Sequence, residues 1–209
     1  MSSLRLIDLT HTITPVMPVY PGDEPASLIK THTLEKDHYN NFTLSSSMHV
    51  GTHIDGPGHL TTSPLLLSNL PINSFIGKGV LIDARNKAIE APLFENIPRE
   101  ENLIVLVMTG FDKQYGTPEY FTTHPVLLPN AAEKIAEKRV KMIGLDFPSP
   151  DHYPFERHKT LFAANVLIIE NLTNLERLLN IPDFTIIALP LKTETDSALA
   201  RVIAVYTEP

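Results

Sequence analysis

Cysteine does not occur in this chain, which excludes disulfides, thiolate metal ligands and a cysteine nucleophile, and fits a reducing compartment. No apolar run approaches the roughly 20 residues that cross a bilayer, and the opening MSSLRLIDLT lacks the apolar centre of a secretory signal. A cytoplasmic protein with no membrane partner is therefore expected. Positive charge is scarce as well: 17 Lys and Arg face 24 Asp and Glu, a net charge of −7. The broad basic footprint of a nucleic-acid binder is missing. Internal repeats, low-complexity tracts and an obvious linker are also absent. What remains is ordinary globular material, 43% hydrophobic and 20% charged over 209 residues, enough for one domain with a substantial core. Eighteen prolines predict many short elements in place of long helices.

The first half reads as strands. Residues 4–10 and 26–34 are β-compatible and are separated by the turn-rich PVMPVYPGDEP. Between 41 and 55, Phe42, Leu44, Met48, Val50 and Ile54 hold even positions, while His49, His53 and Asp55 hold odd ones among polar neighbours. This period of two predicts a strand with one apolar and one polar face, the histidines on the polar side. In the second half the unbroken apolar run 103–109 predicts a strand buried on both faces. PNAAEKIAEKR predicts a helix, with Asn130 and Glu133 at capping-box spacing. Residues 140–145, 166–169 and 184–191 predict buried strands, 173–180 a short helix, and 201–206 a last strand. The fold class expected is α/β: a single compact domain over 1–209, β-rich in its first half and built from β-α-β units in its second.

Three of the nine histidines and a carboxylate fall within eleven residues, His49-Val-Gly-Thr-His53-Ile-Asp55-Gly-Pro-Gly-His59. Imidazole and carboxylate are the usual ligands of zinc and of manganese or iron. On a flat strand His49 and His53 would stand about 13 Å apart, too far to share an ion whose bonds are about 2 Å long. The backbone must bend, and Gly51 and the Gly56-Pro57-Gly58 loop allow it. Further along, Glu170 closes the apolar run Val166-Leu-Ile-Ile, either as a buried ligand at a strand end or as an exposed carboxylate. His158, in ERHKTLF, reads by itself as a surface histidine. Asp146 and Asp151, in GLDFPSPD, are candidates for supporting groups behind the ligands.

At HVGTHIDGPGH the sequence resembles the cyclase family of metal-dependent hydrolases, which includes bacterial kynurenine formamidase, and it carries every fixed position of the signature H-x-G-T-H-x-D-x-P-x-H. The similarity extends through TPVMPVYPGD, TGFDKQYGTPEYF, GLDFPSPD, HKTLFAANVLIIENLTNL and ALPLK. The resemblance implies that His49 and His53 bind one metal, that His158 binds a second, and that Asp55 and Glu170 bridge them. It implies His59 as proton donor and acceptor, a swivelling β/β/α fold, and a homodimer. Two zinc ions per chain are expected, with manganese possible. Two departures bear on substrate: Tyr20 stands where the formamidases have a tryptophan against the aromatic substrate, and ETDSALARVIAV lacks the glycine-rich approach of many members.

The expected reaction is hydrolysis of a small N-formyl aryl amide by metal-activated water, with the imidazole of His59 serving the leaving nitrogen and Tyr20 contacting the acyl substrate. Opening of a lactam at a single metal ion is the alternative within the family. Two histidines and a carboxylate also make the triad of non-haem iron oxygenases, and a non-catalytic metal-binding protein is a third reading.

Overall fold

The computed structural model describes residues 3–208. In chain order it contains β1 (Ser3–Asp8), β2 (Ser27–His32), the single turn α1 (Leu34–Asp37), β3 (Asn41–Ser45), β4 (His53–Asp55), β5 (Ile76–Asp83), β6 (Leu103–Met108), α2 (Pro129–Lys138), β7 (Met142–Leu145), α3 (Glu156–Ala163), β8 (Leu167–Glu170), β9 (Thr185–Pro190) and β10 (Ser197–Glu208). Seven strands close into a barrel in the order β10-β4-β8-β7-β6-β5-β9, with β9 returning to β10 and β1 lying on β10 outside the ring. Strands β5 to β8 run parallel. The helices α2 and α3 are crossovers in sequence, one between β6 and β7 and the other between β7 and β8, as parallel pairing requires.

Strand β6 shows why the sheet is buried on both faces. Ile104, Leu106 and Met108 enter one apolar cluster with Ile54, Ile169 and Ala200. Leu103, Val105 and Val107 enter another with Ala131, Ile135, Leu161 and Phe162 of the helices. Each fully buried aliphatic side chain contributes about 1.5–3 kcal/mol, so the period of two sets barrel contents on one side and helix contacts on the other. On α2 the buried residues Ala131, Ala132 and Ile135 form a single stripe.

Several expectations need correction. No capping box forms: Leu128 is the N-cap, Pro129 occupies the first turn, and Asn130 Oδ1 instead accepts from the Ala91 amide at 3.4 Å. The segment 173–180 is a 3₁₀ turn at Leu175–Leu178, too short for a second turn of α-helix. The last strand begins at Ser197, not 201, because its first residues complete the barrel against β4. The bend expected at Gly51 is present, at φ +61, but the strand expected over 41–55 is interrupted across the whole of 46–52, and β3, paired only with β2, is exposed throughout. β5 and α3 were not anticipated.

Candidate metal centre

Strand β4 is three residues long, and its register builds half of the site. His53 pairs with Glu170 and Asp55 with Ile168 on β8, while Ile54 turns into the barrel cluster. Alternation therefore leaves His53 and Asp55 on the opposite face, with Glu170 beside His53 across the strand pair. All three are buried. The break before β4 folds His49 back onto this face. Gly51 sits at φ +61, and a Cβ there would press Met17 Cε at 2.7 Å. The ring centroids of His49 and His53 consequently lie 5.2 Å apart. The Gly51 carbonyl accepts from His53 Nδ1 at 2.8 Å, so Nε2 faces the carboxylates, 3.4 Å from Asp55 Oδ1 and 3.3 Å from Glu170 Oε2. His49 Nδ1 reaches Asp55 Oδ1 at 3.0 Å.

His158 enters from the helix layer. On α3 the buried residues are His158, Leu161 and Phe162, a spacing of three and four that marks the inward face. Asp151 Oδ1 accepts from His158 Nδ1 at 2.5 Å, and its other oxygen accepts from the Arg157 amide at 2.6 Å. This leaves His158 Nε2 3.4 Å from Glu170 Oε1. His59 ends the 3₁₀ turn Pro57–His59, its ring 4.1 Å from that of His49 and 6.2 Å from that of His158. Asp146 does not join them. Its carboxylate accepts from the Thr109 amide and hydroxyl and from the Gly110 amide, tying the loop after β6 to β7.

Among the described residues, His53 Nε2, both Asp55 oxygens and Glu170 Oε1 are buried without a hydrogen-bond partner. Buried ionisable groups so placed are costly unless a counter-charge meets them. Ligand atoms of His53, Asp55 and Glu170 lie within 4.8 Å of one another, as do those of His49, Asp55 and His59. The two triads share Asp55. A nitrogen-and-oxygen donor set of this kind suits a divalent cation, and the residues fit one.

Proton affinities report the same imbalance. Burial works against charging His53, but Asp55 and Glu170 beside it hold its pKa well above the ordinary value. Burial likewise opposes ionisation of Asp55, yet His53 and His49 hold it well below; Glu170 is also lowered, by His158 and His53, against both burial and the Asp55 charge. His158 is raised to about 9, burial being outweighed by Asp151 and Glu170. His59 goes the other way: burial lowers it, and the neighbouring His49 and His158 add to this against the pull of Asp55 and Glu170.

A cavity of about 210 Å³ opens onto His49, Asp55, His59, His158 and Glu170. Tyr20 lines it beside Phe121, the two rings edge to face at 5.7 Å. Phe155 and Leu60 line it too. Phe155 is held at φ +61, a sparsely populated conformation for a bulky residue of the kind that gathers at functional clefts. Sequence reading missed Phe121, Phe155 and Leu60, since they come from three separate loops with no shared period. A larger groove of about 430 Å³, lined by His11, Leu44, Leu189 and Leu199 among others, holds none of the ligand candidates.

The Cyclase family model matches residues 7–152. The chain belongs to the cyclase family. Among its relatives, kynurenine formamidase of Erythrobacter litoralis is 27% identical over 208 residues, covering 97% of this chain and 94% of the relative. A potential metal-dependent hydrolase with cyclase activity has a solved structure that superposes with a TM-score of 0.79 at 27% identity, covering 99% of this chain and all of that one. Isatin hydrolase A from Labrenzia aggregata, bound to benzyl benzoate, gives a TM-score of 0.83 at 25% identity, covering 98% and 94%. No helix among the described residues of this chain is long and apolar enough to cross a membrane.

Proposed function

We propose that this chain is a metal-dependent amidohydrolase of small aryl amides, acting as one unit over residues 1–209. The observation that carries the reading is the pair of buried carboxylates, Asp55 and Glu170, with unpartnered oxygens and lining an aromatic-walled cavity together with His49, His59 and His158. His49, His53 and Asp55 would hold one cation, and His158 with Glu170 a second, Asp55 and Glu170 standing between the two; we propose zinc, with manganese the alternative. A divalent cation in such a site polarises a carbonyl oxygen and makes water nucleophilic near neutral pH.

The chain's own residues supply the rest. Tyr20 and Phe121 flank the aryl ring and set the amide over the cluster. His59, unprotonated at neutral pH because burial lowers its pKa, takes a proton from the attacking water. It then delivers that proton to the departing nitrogen as the carbon–nitrogen bond breaks. Asp151 keeps the His158 ring oriented through Nδ1.

The likeness to isatin hydrolase supports a second reading, opening of a cyclic aryl amide in the same cavity. An oxygenase triad would leave His158, Glu170 and His59 without a role. We further propose a homodimer, supported by the exposed apolar side chains of β2 and β3, and a cytoplasmic location on composition alone. The deciding experiment incubates the zinc-loaded protein with a formanilide series and with isatin, following formate release, ring opening and oxygen uptake. Hydrolysis that stops with a chelator and returns with zinc is expected. Oxygen consumption, or binding without turnover of either class, would replace the reading.

A further inference from the structure

Asn171 follows Glu170 directly and is buried, with a left-handed backbone at φ +56 that asparagine tolerates better than most residues. Both ends of its amide are engaged. Oδ1 accepts from the Tyr120 hydroxyl at 2.8 Å, and Nδ2 donates to the Gly51 carbonyl at 3.0 Å. The same carbonyl accepts from His53 Nδ1. A carbonyl can only accept, so the amide orientation of Asn171 is dictated by the network, and Tyr120 must be the donor to it. Tyr120 has no exposed surface, is packed among Phe111, Tyr115 and Phe121, and spends its hydroxyl on Asn171.

We propose that Tyr120, Asn171 and the Gly51 carbonyl form a relay that fixes His53 as its Nδ1–H tautomer, making Asn171 a positioning residue for metal retention. The inference rests on the metal reading above. Gly51 has no side chain to restrain its peptide, and the second donor from Asn171 is what aims its oxygen at His53. Without that donor the carbonyl can turn away and His53 can carry its proton on Nε2, toward Asp55 and Glu170, where it no longer ligates. Because Asn171 is also covalently next to Glu170, one amide steadies ligands on both β4 and β8.

The test measures zinc affinity of the purified protein by competition with a chromophoric chelator, together with melting of the metal-free form. Asn171→Gly keeps the left-handed backbone and removes the amide; Tyr120→Phe removes only the hydroxyl. Loss of a supporting partner of this kind weakens metal binding by about 10–100-fold, and that is the loss expected for Asn171→Gly, with a smaller loss in the same direction for Tyr120→Phe. A purely structural role would lower the metal-free melting temperature and leave zinc affinity within about twofold of wild type. Unchanged affinity in Asn171→Gly overturns the relay, and if that variant does not fold, unchanged affinity in Tyr120→Phe does so. A wild-type chain that binds no zinc overturns the metal reading, and the relay with it.

Discussion

His59 lies close enough to His49 and Asp55 to join them around an ion, and it is also the imidazole whose pKa burial keeps low. Ligand and proton carrier are separable by one variant. His59→Ala is expected to retain its metal and melting profile while kcat falls by about 10²–10⁴, with aryl amides of good leaving groups suffering least. A metal-poor variant would make His59 a ligand. His11 offers a pH test away from the ligands. Stacked on Tyr115 at 3.8 Å, it is held down to about 4 from 6.5, burial outweighing the pull of Asp112. The unfolded chain therefore binds a proton that the folded one refuses. The stability due to neutral His11 is complete above about pH 6.5 and is lost as pH falls toward about 4, on the order of 2 kcal/mol once its partial exposure is allowed for. Denaturant unfolding of wild type and His11→Gln between pH 7 and 4 should show the shallower acid decline in the variant. Parallel declines would mean that other groups govern this range.

At the scale of elements, glycines decided what could be read. Strand β5 carries Gly77 and Gly79, which in a sequence look like turn residues, yet both are there for close approach. A Cβ on Gly77 would meet the Asn102 carbonyl at 2.6 Å, and one on Gly79 would sit on the ring of Phe184. Gly79→Ala should cost about 1–3 kcal/mol by overpacking, and Phe184→Leu in the same chain should recover part of it. Additive losses in a double-mutant cycle by urea unfolding would show that the ring and the glycine are not coupled. Helix α3 was hidden for another reason: eight residues give one turn of inward spacing, and only the step from His158 to Leu161 and Phe162 betrays it. Strand β6 was plain, because six consecutive apolar residues permit little else. The candidate ligand cluster was legible in composition, and the need for a bend at Gly51 was legible too, but not the way the bend is made. Convergence of His49 with His53 depends on a backbone reversal at Gly51, and that of Glu170 on strand register, neither of which a local period encodes. The supporting carboxylate Asp151 was in view, whereas Asp146 shared its sequence context and proved to tie loops together.

For the molecule as a whole, the barrel leaves one alternating pattern without a counterpart. Phe42 and Leu44 share a face of β3, opposite Lys30 and Leu28 of β2, and both are exposed. The apolar strip continues through Leu44 into the groove that also holds Leu189 and Leu191, themselves exposed. A two-stranded ribbon is marginal in water without a covered face, and contiguous apolar surface of this sort marks an interface. The sequence predicted an apolar face at Phe42 and Leu44; nothing among the described residues buries it, and a second copy is the cover proposed for it. Light scattering at micromolar concentration should therefore return twice the mass of the chain. Phe42→Asp with Leu44→Asp should return the single mass, and amide exchange across residues 27–45 should quicken by orders of magnitude, because the ribbon then relies on its own hydrogen bonds. The proposed ligands lie on other elements, so zinc content per chain should stay constant as the proposed dimer separates. A wild-type chain that runs as a monomer with slow exchange in this ribbon would show that β2 and β3 need no cover, and the homodimer would have to be abandoned.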